Sequence, residues 1–158
     1  MSEPLRPDLK SPILMSPNYV STDRKLDIAL LILRLVLAAV FITHGYQKLF
    51  VFGFAGVTGA FTKMGVPLPG FFGPFIALVE FFGGIGILLG IFARIFGTLL
   101  ACDMLGAIIF VHAKNGYSGP KGVETVLGNL AMALVIALVG AGAYSIDAML
   151  SRRRSSTL

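Results

Sequence analysis

The chain has 158 residues, 56% of them hydrophobic and 13% charged, and its mean hydropathy is +0.85. A soluble domain is roughly 45–50% apolar and about 25% charged, and at about 150 residues around a third of its surface stays wet; the apolar excess therefore excludes a soluble globular enzyme and a disordered chain. The net charge of +5 does not point to nucleic acid, because the cations gather in the tails and short connections, as they do where loops meet a membrane surface.

Residues 1–25 carry Pro4, Pro7, Pro12 and Pro17 among polar neighbours, without an apolar core and a small-residue cleavage site. They read as a disordered tail rather than a cleaved signal peptide. Four apolar stretches follow, from about Ile28 to Val51, Phe71 to Phe92, Ile95 to Val111 and Val126 to Ala143. Each approaches the roughly 17–25 residues that a helix needs to cross a bilayer. None alternates as barrel strands must, and helices satisfy their own backbone in lipid. The predicted fold is all-α: a four-helix transmembrane bundle over residues 26–150, followed by a basic tail over 151–158.

The connections differ. Gly90 to Arg94 is a tight corner that predicts an antiparallel hairpin of the second and third spans. Between the first two spans, Val57, Phe61 and Met64 recur at helical spacing while Lys63 faces elsewhere, predicting a short interfacial helix ended by Pro67 and Pro69. Lys114 to Gly122, with Asn115-Gly116 and Gly119-Pro120, reads as a polar turn. Four spans put both termini on one side with Arg6, Lys10, Arg24, Lys25, Arg94, Arg152, Arg153 and Arg154, against Lys48, Lys63, Lys114 and Lys121 opposite. That asymmetry predicts cytoplasmic termini.

Arg34, Glu80 and Asp103 fall inside apolar spans. A charge at the bilayer centre costs at least about 2.5–3.5 kcal/mol, so a buried cluster of the three is expected. At 1.5 Å per residue they lie about 9, 18 and 12 Å from the end that carries the termini, close enough to share one layer if the boundaries shift by a turn. Gly83 and Gly84 follow Glu80, and Gly106 and Ala107 follow Asp103, placing small residues on the face of each acid. Such a cluster is either a structural ion pair that sets helix register or a proton-handling site holding one proton between two carboxylates.

A second polar group gathers at the opposite end: His44 and Lys48 on one helix face, His112 and Lys114 closing the third span, Glu124 opening the fourth, and Asn129 deeper. His44, Lys48, His112, Glu124 and Asn129 could hydrogen-bond the carbonyls of a quinone and exchange its protons with water. Equally, the lysines could be snorkelling to head groups. Gly84-Ile85-Gly86 with Gly90 has the wrong last spacing for a dinucleotide fingerprint, and Gly86-x-x-x-Gly90 reads as helix packing. Two histidines without cysteine pairs predict no metal site, and nothing singles out haem. Cys102, the one cysteine, reads as an inert thiol in apolar surroundings.

Leu33-Arg34-Leu35 through His44-Gly45-Tyr46-Gln47-Lys48-Leu49 resembles the opening of DoxX family membrane proteins, and so does Val79-Glu80-Phe81-Phe82-Gly83-Gly84 leading to Leu89-Gly90 and Arg94. The Phe61 to Pro67 segment and the Ala107 to His112 end agree. The resemblance, over about Leu26 to Leu150, implies a four-helix protein of the bacterial or archaeal cytoplasmic membrane. It also implies a redox setting, since the family is named through a subunit linked to thiosulfate:quinone oxidoreductase and members associate with redox-defence proteins. Arg34, His44, Lys48, Glu80 and His112 match its polar pattern; Asp103 is not carried over.

Two functions are expected on these grounds. One is a redox component working with quinone and a soluble or membrane-associated oxidoreductase partner, with Glu80, Arg34 and Asp103 as candidate catalytic residues. The other is a non-enzymatic accessory or assembly subunit that binds another membrane protein, or a second copy of itself, through its glycine-rich faces. Solute transport is disfavoured by the absence of an evident inverted repeat.

Overall fold

The computed structural model describes the backbone of residues 17–119 and 121–155, and the side chains of 24–119 and 121–151. Its elements are α1 (Pro17–Tyr46), α2 (Gly53–Met64), α3 (Pro69–Leu89), α4 (Ala93–Ala107), α5 (Val123–Val139) and α6 (Ile146–Ser155). The fold is all-helical, as expected. Among the described residues, three continuous helical stretches are long and apolar enough to cross a membrane: Arg24–Met64, Pro69–Leu89 and Ala93–Asn115; Val123–Val139 is a shorter apolar helix. α1 begins at Pro17, inside the segment read as a tail, and α6 extends through Ser155 in the basic tail. Residues 1–16 and 156–158 of those two expected tails lie outside the described residues.

Lipid is as apolar as leucine, so these helices are held by close packing rather than by exclusion from water. Glycine makes that approach. A Cβ at Gly84 of α3 would stand 2.9 Å from the Ile42 backbone nitrogen of α1, and one at Gly45 would run into the Phe81 backbone. These two contacts fix the antiparallel register of α1 on α3. Gly97 does the same between α4 and α5, where a Cβ would lie 2.8 Å from the Ala137 nitrogen. Phe41, Leu37, Ile87, Leu100 and Ile136 fill the centre, while Ile32, Leu35, Phe82 and Leu138 point outward.

The Gly90 corner is present. Ile91 N–H donates to Gly86 O at 2.9 Å and Gly90 N–H to Ile87 O at 3.2 Å, the paired bonds of a Schellman ending, with Gly90 at φ +67°. Gly90 therefore ends a helix instead of continuing a packing stripe, while Gly86 packs on the Phe96 ring. The predicted helix between the first two spans is α2; Val57 buries its inner face, and Gly65 closes it with the same pair of bonds. Helical geometry loosens into π-helical turns at Gln47–Phe52 and Ile108–His112. Such turns often mark functional sites. Both lie at the end of the bundle remote from α6.

Candidate functional site

The expected Arg34–Glu80–Asp103 cluster does not form as one unit. Arg34, 1% exposed, donates from Nε to Ile87 O at 2.8 Å, from Nη2 to Leu88 O at 2.7 Å, and from Nη1 to Ala141 O at 2.9 Å and Tyr144 O at 2.8 Å. It ties the last turn of α3 to the α5–α6 connection. The physical reason is register: with Ile42 against Gly84, Arg34 falls level with the carbonyl end of α3, where negative partial charge collects. Glu80 lies seven residues earlier, about 10 Å away along the axis. The depth difference visible in the sequence was real, and carbonyls rather than carboxylates satisfy the guanidinium.

Neighbouring groups complete this joint. The Asp147 carboxylate of α6 accepts from Phe92 N–H and Ala93 N–H, both at 3.0 Å, and so caps α4. Asp27 Oδ1 accepts from Ala143 N–H at 2.7 Å. Sequence reasoning passed over both acids. Asp147 sits three residues past Tyr144, beyond the last apolar span, and only tertiary contact brings it to another helix's first turn.

Glu80 takes Lys48 as its partner: Lys48 Nζ donates to Glu80 Oε2, with the carboxylate side chain 3% exposed. The π-helical turn at Gln47–Phe52 carries this lysine, which turns into the bundle instead of out to head groups. Asp103 joins the pair, close enough to interact electrostatically with both Glu80 and Lys48. Its Oδ2 is buried without a hydrogen-bond partner. The two acids thus meet as expected, with Lys48 in the place foreseen for Arg34.

Beside this trio lies a partly open cavity of about 550 Å³, lined by residues of α1, α3, α4 and α5 and by Phe61 and Met64 of α2. His44, Lys48, Glu80, Asp103, His112 and Asn129 all line it. Thr125 adds a hydroxyl, and the remaining walls are largely apolar, with Phe41, Phe61, Phe72, Phe75 and Phe110 contributing rings. Gly106, expected to receive another helix, faces open space instead, so a Cβ there would meet nothing within 4 Å. Cys102 is exposed and also borders the cavity.

Two candidates are engaged with the α4–α5 loop. His112 Nδ1 lies 2.8 Å from Lys121 O while its ring borders the cavity. Glu124 is outside the cavity: it accepts from Ser118 Oγ at 2.8 Å and Gly119 N–H at 3.3 Å, stapling the loop. Its expected part in ligand binding is corrected accordingly, since both carboxylate oxygens are held by the turn. Arg34 is likewise remote from the cavity. Among the described residues, no three His, Cys, Asp or Glu side chains gather as metal ligands.

A family model, DoxX, matches residues 29–113. The chain is 33% identical over 132 residues to the inner membrane protein YqjF of Escherichia coli, covering 80% of this chain and 95% of that protein. It is 31% identical over 126 residues to the protein named "Putative oxidoreductase CatD" of Bacillus subtilis, covering 79% of this chain and 89% of that one. A third relative, the membrane protein Rv3486 of Mycobacterium tuberculosis, is 30% identical over 135 residues, covering 78% and 82%. No solved structure matches the chain. The matched stretch runs from α1 through the π-helical turn that bears His112, and the relatives align over nearly their whole length; the chain is a membrane protein of the DoxX family.

Proposed function

We propose that this protein is a redox component of the cytoplasmic membrane that binds a quinone in the α1–α3–α4–α5 cavity and works with a soluble oxidoreductase at the membrane surface. The observation that carries the reading is that seven polar side chains, Thr125 among them, spread over four helices, line one largely apolar, aromatic-walled space of about 550 Å³. Pockets of this kind, about 300–1,000 Å³ with few convergent polar groups, suit drug-sized amphipathic ligands. A quinone head group fits that chemistry, and its isoprenoid tail fits the apolar walls. The basic-residue asymmetry supports cytoplasmic termini, and the name of the CatD relative supports a redox role.

When bound, a quinone supplies two-electron, two-proton redox chemistry. The chain's part is to bind, orient and handle protons. Asn129 and His44 offer hydrogen bonds at the cavity wall, and the phenylalanines exclude water. One ammonium at Lys48 cannot balance two carboxylates; in this reading Glu80 and Asp103 share one proton at the cavity floor, and that proton can be exchanged with the ligand. Ionisable side chains gathered inside a membrane are rare and mark functional sites by default.

The test is ligand binding by the full-length protein in lipid nanodiscs. Organic extracts of the purified protein should contain quinone by mass spectrometry, and a short-chain benzoquinone should bind saturably. Asn129→Leu should weaken that binding about tenfold, the loss of one good hydrogen bond, with the elution profile unchanged. Absence of co-purified quinone together with absence of saturable binding would overturn the proposal and leave the accessory-subunit reading.

A further inference from the structure

The α3–α4 hairpin is closed at its corner and open at its far end. Near the corner the Phe96 ring lies directly on Gly86, and Leu100 packs on Gly83, where a Cβ would meet it at 3.5 Å. Farther out the two helices line the cavity instead. Phe72, Phe75 and Ile76 of α3 do so at i, i+3 and i+4, and Leu99, Cys102 and Gly106 of α4 at i, i+3 and i+7, one face of each helix. Those α4 positions lie off the buried stripe of Gly97, Leu100, Ala101 and Met104.

This open side lies within the hydrocarbon. Phe75 is fourteen residues before Leu89, and Gly106 is thirteen residues after Ala93. Both therefore stand about 20 Å from the corner, level with each other and inside a bilayer core about 30 Å thick. Both flanks are uncovered: Phe75 is 39% exposed, Cys102 is exposed, and a Cβ at Gly106 would meet nothing within 4 Å. The same three residues border the cavity. Residues that line an internal space and also reach the surface stand at its mouth, and at this depth the surface meets acyl chains rather than water.

Resting on the quinone reading above for the head group, we infer that the gap between α3 and α4 is a lateral mouth of the cavity, through which the ligand enters from the bilayer. The ligand class narrows accordingly to quinones with a long isoprenoid tail. The head lies in the cavity, and the tail passes between Phe75 and Gly106 into lipid. Phe75, Cys102 and Gly106 are then tail-binding residues.

The test is photolabelling of the full-length protein in nanodiscs with a decyl-tailed benzoquinone that carries a diazirine midway along the tail, followed by mass spectrometry of the adducts. Labelling that excess one-isoprenyl benzoquinone suppresses should fall on residues 72–76 and 99–106. Suppressible labelling confined to other stretches would overturn the inference while leaving the quinone site standing. No suppressible labelling would overturn it too, and the quinone reading falls with it if the one-isoprenyl ligand also shows no saturable binding. Cys102→Trp plugs the mouth: the affinity for the decyl-tailed ligand relative to a tail-less benzoquinone should fall about tenfold, the scale of an overpacked contact. An unchanged ratio would overturn the assignment of the mouth. Should that variant fail to fold, photolabelling of the unaltered protein decides alone.

Discussion

Replacing Arg34 by methionine tests the joint between α1, α3 and the α5–α6 connection. The guanidinium makes four hydrogen bonds of 2.7–2.9 Å to the carbonyls of Ile87, Leu88, Ala141 and Tyr144. Hydrogen bonds to a charged group contribute roughly 1.5–3 kcal/mol each, so their gross sum is about 6–12 kcal/mol. Against that stands the cost of burying a cation, several kcal/mol. Arg34→Met should therefore destabilise by about 3–5 kcal/mol, the usual loss when a buried charged network is broken. Arg34→Lys, with three donors on one nitrogen, should recover part of this, because a single ammonium cannot reach two separate chain segments with the planar fork of arginine. Unfolding in mixed micelles by sodium dodecyl sulfate, followed by circular dichroism, measures both.

A double-mutant cycle makes the same experiment sharper. Arg34 and Glu80 lie about 10 Å apart along α3, so Arg34→Met and Glu80→Gln should add within about 0.5 kcal/mol. Lys48→Met and Glu80→Gln share an ion pair and should deviate from additivity by about 1 kcal/mol or more. A loss below about 1 kcal/mol for Arg34→Met, or coupling above that value between Arg34 and Glu80, would refute the separation of the two charged sites.

Further outcomes follow from single contacts. Gly97→Val should force α4 from α5, where a Cβ already meets the Ala137 nitrogen at 2.8 Å, and should cost about 1–3 kcal/mol in the same unfolding assay. Gly106→Leu, by contrast, enters open space beside the cavity; it should leave the unfolding midpoint close to that of the parent and reduce saturable binding of a short-chain benzoquinone. Asp147→Ala removes the acceptor for Phe92 and Ala93 N–H, which should cost about 0.5–2 kcal/mol and speed hydrogen exchange in the first turn of α4. Phe92 has φ +47° and is 62% exposed, so Phe92→Gly should stabilise by about 1 kcal/mol, relieving a left-handed conformation while giving up little packing.

Much of the architecture was legible along the chain because its signals are local. Apolar length marked the spans, Gly90 marked the corner, and the spacing of Val57, Phe61 and Met64 marked α2. The convergence of Glu80 and Asp103 was also readable: each sits a similar distance from the Gly90 corner that joins their helices, so a hairpin must bring them level. The partner of Arg34 was not readable, because every residue carries a carbonyl and nothing in the sequence distinguishes the four that are used. Nor was the inward turn of Lys48, which depends on a π-helical loosening after Tyr46 that no residue pattern announced.

Composition and spacing alone determined that this is a helical membrane protein with buried ionisable groups, since hydropathy, helix length and the cost of charge in lipid depend on one segment at a time. Which charge meets which partner was decided only in three dimensions. Gly45 and Gly84 let α1 and α3 touch in a single register. That register sends Arg34 to a helix's carbonyl end and, with the π-helical turn after Tyr46, Lys48 to Glu80, beside a cavity where His44, Asp103, His112 and Asn129 gather. A shift by one turn, about 5.4 Å, would have exchanged those partners.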